Sequence, residues 1–259
     1  MVKVGVVQAR PDIGNKKANI KKMETYLKRH RCDIMVFPEM YLTGYSCGDE
    51  LYRCAESATG HSCRSVLKLA EKYDTYVIFG MAERDEEQHR LYNAAVTAGP
   101  DGDLHTYRKM HLADFGPFHE HQFFSKGTEP VLIDTKLGKV GLTICYDIFF
   151  PELAKNYALK GAEMVVCISA SPTFSRRFFE CMVPARAIEN TVFVLYSNLV
   201  GREKGLVFWG GSMVCGPRGD VKVQGEYYKE VCSTANINLK ELEITRRFRP
   251  TIRDTSPLF

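Results

Sequence analysis

Residues 139–169 read KVGLTICYDIFFPELAKNYALKGAEMVVCIS, and the apolar pattern of this segment indicates the fold class. The apolar run at 139–144 predicts a buried strand. Pro151 suits the first turn of a helix, which Gly161 would end. A second apolar run, 163–168, predicts another strand. Strands that are apolar on both faces and separated by a helix indicate a layered α/β domain.

The same alternation extends outward over the rest of the chain. Antiparallel pieces at 92–108, with a turn at 99–102, and at 206–236 make the predicted sheets mixed. The stretch 110–129 is predicted to be irregular, and a charged segment follows 236. No break in composition marks a linker, so residues 1–259 are predicted to form one domain. Further predicted strands are 1–8, 34–37, 76–80 and 192–196, and further predicted helices are about 16–29, about 66–73 and about 175–189.

Composition excludes several classes of protein. The 259 residues are 45% hydrophobic and 25% charged, as in ordinary globular domains, and the net charge of +4 is too small to indicate a nucleic-acid or membrane partner. The sequence contains no apolar run of about 18 residues, so it predicts no transmembrane helix. The nine cysteines form no Cys-x-x-Cys pair, which favours a reducing cytoplasmic location.

Three reactive side chains, those of Glu39, Lys109 and Cys145, each follow the end of a predicted strand. Functional groups of α/β sheets collect at such strand ends. Taken singly, each residue has an ordinary interpretation as a loop carboxylate, a loop ammonium or a core thiol. Taken together, they supply a base, a cation and a nucleophile.

The position of Cys145 favours a nucleophilic role. It lies shortly before the helix that Pro151 begins, and the positive amino end of that helix is expected to favour a thiolate. His111, two residues beyond Lys109, leaves a Cys–His pair as an alternative.

Three segments carry a family resemblance: VFPE at 36–39, YRKMHL at 107–112 and GLTICYD at 141–147. They resemble the signature segments of the nitrilase superfamily of carbon–nitrogen hydrolases, and the likeness covers nearly the whole chain. The resemblance implies an αββα sandwich, a Glu39–Lys109–Cys145 triad, and homodimers or larger homo-oligomers. Further matching segments are LTGY at 42–45, FPE at 150–152, ALKGAE at 158–163 and PARAIEN at 184–190.

The resemblance also implies a second glutamate after the lysine segment, and Glu120 is the candidate; its alternative is a charged loop residue. Two departures bear on the substrate. The segment 148–150 lacks the arginines of carbamoyl-D-amino acid hydrolases, and 167–172 lacks an asparagine that many members carry. The residues expected to contact substrate are Tyr146, Phe149, Phe150 and Ser169.

The function predicted on this basis is hydrolysis of a small linear amide through a thioester on Cys145. The products are ammonia and a carboxylic acid, and no metal or organic cofactor is expected. The backbone N–H of Tyr146 and the Lys109 ammonium are expected to hold the oxyanion. Alternatives are an N-carbamoyl amidase, a glutaminase-like subunit that supplies ammonia to a partner, a nitrilase, and a catalytically idle interaction protein.

Three other patterns are weaker signals. GYSCG at 44–48 matches a serine-hydrolase elbow, but Pro38 ends the preceding strand too early for that turn. HEH at 119–121 lacks the spacing of a zinc site. Arg176 and Arg177 are interpreted as a solvated face or interface residues that could lie near the pocket mouth.

Overall fold

Two six-stranded mixed sheets form the centre of the structure, a computed structural model that describes residues 1–256 apart from the side chain of Asp49. Helices lie against the outer faces of the sheets, so the predicted α/β sandwich is confirmed. The last three residues of the predicted domain, 257–259, lie outside the described residues. Within residues 1–256, every helix is too short or too polar to cross a membrane.

The first sheet joins the beginning and the end of the described chain. Its strands are β1 (Val2–Gln8), β2 (Ile34–Val36), β3 (Tyr76–Asp85), β4 (Arg90–Ala98), β5 (Leu104–Arg108) and β14 (Val231–Ile237). They lie in the order β14-β1-β2-β3-β4-β5. The neighbours β1, β2 and β3 are parallel, and the other pairs are antiparallel.

The second sheet repeats this arrangement around three parallel strands. Its strands are β6 (Leu132–Thr135), β7 (Gly138–Ile144), β8 (Met164–Ser169), β9 (Phe193–Asn198), β12 (Met213–Cys215) and β13 (Val221–Gln224), and a separate ribbon contains β10 (Val200–Glu203) and β11 (Leu206–Trp209). The sheet order is β13-β12-β9-β8-β7-β6, with β7, β8 and β9 parallel.

Within residues 1–256, six α-helices complete the layers: α1 (Lys16–His30), α2 (Leu51–Cys54), α3 (His61–Tyr73), α4 (Pro151–Leu159), α5 (Arg176–Asn190) and α6 (Lys240–Phe248). Buried side chains of α1 and α3, such as Leu27 and Val66, pack against the first sheet. Those of α4 and α5, such as Tyr157 and Val183, pack with the second sheet.

The alternation of side chains along β2 explains why this strand is apolar throughout. Ile34 and Val36 belong to the core between the two sheets, whereas Met35 and Phe37 belong to the core beneath α1 and α3. Successive residues of a strand point to opposite faces, so a strand in the middle of a four-layer sandwich has no solvent face.

Candidate active site

The structure brings Glu39, Lys109 and Glu120 into one buried cluster. Glu39 follows β2, Lys109 follows β5, and Glu120 begins a 3-10 turn at Glu120–Gln122 in the long irregular stretch. The Lys109 Nζ lies 2.9 Å from Glu39 Oε1 and 2.8 Å from Glu120 Oε1. Both sheets contribute to this region, because Cys145 follows β7 of the second sheet.

Lys109 is a buried cation held between two carboxylates. Its exposed fraction is 1%. Burial by itself lowers a lysine pKa, but the charges of Glu120 and Glu39 raise the pKa of Lys109 well above its ordinary value. The ammonium therefore remains charged at neutral pH and supplies a fixed positive charge beside the thiol.

Glu39 is fixed by three donors. Lys109 and the Asn93 amide, at 2.7 Å, both donate to Oε1, and the backbone N–H of Ala170 donates to Oε2 at 2.6 Å. Burial and the neighbouring Glu120 raise the pKa of Glu39, while Lys109 opposes this effect. A carboxylate with a raised pKa is a better proton acceptor, which suits a general base.

Glu120 is also held on both oxygens. The Tyr45 hydroxyl donates to Oε1 at 2.8 Å, and the backbone N–H of Ala113 donates to Oε2 at 2.9 Å. With an exposed fraction of 4%, Glu120 does not fit the alternative interpretation as a solvated loop residue. Tyr45 lies in the LTGY segment, where the sequence offered a family match and no role.

Cys145 occupies a sharp turn at the end of β7. Its φ is 48°, in the left-handed region, and it begins a 3-10 turn that runs to Phe149. A non-glycine residue seldom adopts this conformation, and such positions cluster at functional sites. The turn presents the half-buried thiol to a cavity that Glu120 also lines.

The expected thiolate is wrong for the resting state. Burial and the charge of Glu39 raise the pKa of Cys145 well above its ordinary value, although Lys109 and Ser169 act in the opposite direction. Desolvation by the surrounding protein outweighs the effect of the nearby cation. The thiol is therefore protonated at rest, and its proton must be removed when it attacks.

Two buried side chains that sequence reasoning missed fix the turn after Cys145. Asp147 accepts hydrogen bonds from the Ile144 N–H, the Tyr107 hydroxyl and the His111 N–H. Arg186 donates to the carbonyls of residues 148 and 149 at 2.7 and 3.1 Å. Both residues lie in segments that matched the family, so motif membership was the available signal.

Two glycines allow the backbone to approach closely beside the cluster. A Cβ on Gly80 would lie 2.2 Å from the Met40 N and 2.6 Å from the Glu39 Cα. A Cβ on Gly127 would lie 2.1 Å from the Arg108 carbonyl oxygen. Each glycine packs directly against the segment that carries a charged member of the cluster.

A cavity of about 320 Å³ opens above Cys145. Of the four residues expected to contact substrate, Tyr146 and Phe149 line this cavity. Phe150 does not; its ring stacks on His111 with centroids 3.6 Å apart, which turns it toward another cavity. Ser169 is fully buried and absent from the lining, so its substrate contact, like that of Phe150, stays a prediction.

The alternative patterns do not assemble a second site in residues 1–256. The His111 ring contacts Asp147 at 2.8 Å and lies outside the Cys145 cavity, so the Cys–His alternative does not fit. His121 contacts Asp114 at 2.7 Å, and the described residues include no group of three metal-ligating side chains. Ser46 lies in the loop before the 3-10 turn at 48–50, away from any strand end.

Comparison with known proteins shows the family of this chain. A family model for carbon–nitrogen hydrolases matches residues 3–247. A nitrilase of Pyrococcus abyssi is 33% identical over 246 residues, covering 92% of this chain and 90% of that protein. An (R)-stereoselective amidase of a Pseudomonas species is 34% identical over 223 residues, covering 86% of this chain and 79% of that protein.

The fold agrees with a solved structure. A nitrilase-superfamily protein of Saccharomyces cerevisiae superposes with a TM-score of 0.90 at 28% identity, covering 100% of this chain and 97% of that one. The segments at 36–39, 107–112 and 141–147, which first indicated the resemblance, carry Glu39, Lys109 and the cavity thiol. The chain therefore belongs to the carbon–nitrogen hydrolase family of the nitrilase superfamily.

Proposed function

We propose that this protein hydrolyses small linear amides by covalent catalysis at Cys145. The observation that carries the proposal is the buried Glu39–Lys109–Glu120 cluster beside a thiol that lines a cavity. The site supplies a proton acceptor, a fixed cation and a nucleophile, and these are the groups that acyl transfer requires. No metal or organic cofactor takes part in the proposed reaction.

In the first half of the reaction, the Cys145 sulfur attacks the amide carbon and its proton passes to Glu39. The carbonyl electron pair moves to oxygen, where the Lys109 ammonium and the Tyr146 backbone N–H stabilise the charge. The intermediate collapses, Glu39 returns the proton to nitrogen, and ammonia leaves. A thioester remains on Cys145.

In the second half, water gives a proton to Glu39 and attacks the thioester carbon. The carbon–sulfur bond breaks, the acid is released, and Cys145 regains the proton from Glu39. The raised pKa of Cys145 supports this cycle, because the thiol rests protonated and transfers its proton only during attack. Glu120 keeps Lys109 in place and balances its charge.

We also propose that residues 1–259 form one hydrolase domain, that it assembles as a homodimer or larger homo-oligomer, and that it works in the cytoplasm. Nine cysteines, none of them paired within residues 1–256, suit a reducing compartment. Light scattering tests the assembly. The expected particle mass is two or more times 29.4 kDa, and a particle of 29.4 kDa would contradict the proposed oligomer.

The function is tested by following ammonia from matched amides, N-carbamoyl compounds and nitriles. Amides are expected to have the highest kcat/KM, since nitriles need an additional hydration step at carbon before ammonia leaves. Cys145→Ala and Glu39→Gln should abolish turnover while the exposed-cysteine control Cys181→Ala retains it. Mass spectrometry of a stopped reaction should detect one acyl group on Cys145.

Three outcomes would contradict the proposal. Turnover by Cys145→Ala would exclude this nucleophile. A nitrile with kcat/KM at or above that of its amide would assign the protein to the nitrilases. Carbon dioxide released together with ammonia would indicate N-carbamoyl substrates.

A further inference from the structure

Aromatic rings form the walls of the Cys145 cavity. On one side, the Phe115 ring lies 4.8 Å from the Tyr146 ring and 5.6 Å from the Phe118 ring, between centroids. On the other side, the rings of Phe149 and Phe179 are 5.2 Å apart. Such walls offer a substrate apolar surface and edge-to-face ring contacts.

The aromatic surface continues from the floor to the mouth. Phe118 and Phe179 are deeply placed, with exposed fractions of 7% and 3%. Phe174 and Phe178 stand at the mouth with exposed fractions of 57% and 58%. Exposed apolar rings beside a cavity are covered from water when an apolar ligand binds, which favours binding.

Cationic side chains are missing from the described lining of this cavity, where Glu120 is the one charged residue. The expected arginine pair does not reach it. Arg176 lies over the Tyr227 ring at 5.1 Å, and Arg177 has a side chain that is 81% exposed. A carboxylate on the acyl part of a substrate would therefore lose water and gain no ion pair.

The charges at the floor of the cavity would also repel a carboxylate on the substrate. The buried cluster contains the two carboxyl groups of Glu39 and Glu120 and one ammonium, that of Lys109. The serine hydroxyls of the lining are already hydrogen-bonded, since those of Ser171 and Ser175 contact each other at 2.7 Å. Lys204 lines a neighbouring cavity on the far side of Tyr45 and Phe118.

We propose that the acyl group of the substrate is uncharged and apolar, so that the enzyme acts on amides of alkyl or arylalkyl acids. This inference rests on the proposed amide hydrolysis. It argues against the glutaminase and N-carbamoyl amidase alternatives, because glutamine and N-carbamoyl amino acids carry a carboxylate for which the cavity offers no cation. The volume of about 320 Å³ lies at the small end of ligand pockets, which limits the acyl group to a short chain or a single ring.

The test compares two amides of the same shape, 4-methylpentanamide and succinamate, in which two methyl groups replace the two carboxylate oxygens. The expected kcat/KM for 4-methylpentanamide is higher by at least about 10²-fold, because a carboxylate buried without a partner is strongly disfavoured. Calorimetry with Cys145→Ala measures binding of the same pair without turnover and should give the same preference.

Phe178→Arg places a cation at the mouth and should raise the succinamate to 4-methylpentanamide ratio by about 10-fold or more. The matched control is Phe248→Arg, since Phe248 is 84% exposed on α6 and does not line the cavity; its ratio should stay at the wild-type value.

The outcomes distinguish the two proposals. Ammonia released from succinamate as fast as from its neutral counterpart would overturn the apolar-substrate inference and leave amide hydrolysis intact. Equal or tighter binding of succinamate to Cys145→Ala would overturn it too. Absence of ammonia from both compounds would contradict amide hydrolysis, and the calorimetric preference would still decide the inference.

Discussion

At the scale of single residues, the cluster depends on the position of one ammonium. Lys109 stays between Glu39 and Glu120 because each carboxylate has its own backbone donor, Ala170 in one case and Ala113 in the other. A charge fixed in this way needs no rearrangement when negative charge develops on a substrate oxygen. Residues that hold Lys109 should therefore affect kcat more than substrate binding.

Glu120→Gln is expected to lower kcat by about 10²-fold, because an amide holds the Lys109 ammonium less firmly and small displacements of a catalytic group have effects of that size. Steady-state kinetics on the best amide would measure this, with KM nearly unchanged and thermal unfolding confirming a folded protein. The control is Glu129→Gln, which alters an exposed carboxylate in the same stretch. Wild-type kcat in Glu120→Gln would contradict the role of Glu120.

Thiol modification should show the protonated resting state of Cys145. With methyl methanethiosulfonate at pH 7, exposed Cys181 should react before Cys145, because burial and Glu39 raise the pKa of Cys145 and leave little thiolate. The Cys145 rate should increase as the pH rises above 7, and buried Cys167 should stay protected. Peptide mass mapping over time gives the order; modification of Cys145 first at pH 7 would contradict it.

At the scale of elements, the sequence predicted the strands and helices whose apolar pattern is strong. β1 begins one residue later than predicted, and α1 ends one residue later than predicted. β3 is longer than predicted, since it continues to Asp85 to pair with β4. That pairing stabilises the polar end of β3, and the residue pattern of one strand gives no information about its pairing with another.

Four elements, α2, α6, β6 and β10, were missed because their local signals are weak. α6 reads KELEITRRF, in which Leu242 is a lone buried apolar residue, so it was predicted as a charged segment. α2 and β6 are four residues each, and tertiary contacts decide such short elements.

The residues of the candidate site also differ in how strongly the local sequence marks them. The three motif residues were proposed because they follow strand ends and lie in the motifs, and Glu120 was proposed because the family resemblance implies a glutamate after the lysine segment. Phe150 and Ser169 lie outside the cavity lining, because the direction of a side chain in a loop or at a strand end depends on packing. Asn93, which donates to Glu39 from the middle of β4, carried no local signal at all.

Gly80→Ala tests whether the close packing of β3 holds Glu39 in position. The added methyl group would overlap the backbone of Glu39 and Met40, so kcat should fall by about 10²-fold or more. The stability loss should be about 1–3 kcal/mol, measured by denaturant unfolding.

The control is Gly205→Ala, at a position with open space and a φ of 89°. It should lower stability by about 1–2 kcal/mol without affecting kcat. Equal kcat values for the two variants would show that Gly80 does not position the base.

At the scale of the whole molecule, the core between the sheets joins the two halves of the site. Glu39 and Lys109 follow strands of the first sheet, and Cys145 follows a strand of the second. Their alignment is therefore maintained by the contact of one sheet with the other. The apolar side chains of this contact should control stability and site geometry together.

Leu195→Ala removes a fully buried side chain of β9 and should destabilise the protein by about 2–5 kcal/mol. The melting temperature should fall by roughly 4–20 °C for a chain of this size. Leu159→Ala is the control, because Leu159 is 53% exposed and its change should stay within about 0.5 kcal/mol. Differential scanning calorimetry measures both, and similar melting temperatures would contradict the assigned core.

The pairing of β1 with β14 has a consequence for biosynthesis. Residues 2–8 are translated before their partner, residues 231–237, and 222 residues, 9–230, lie between them in the sequence. One apolar edge of the first sheet stays unpaired throughout that interval, and such edges associate readily with other chains. The sheet that carries Glu39 and Lys109 is therefore completed only after residues 231–237 have been translated.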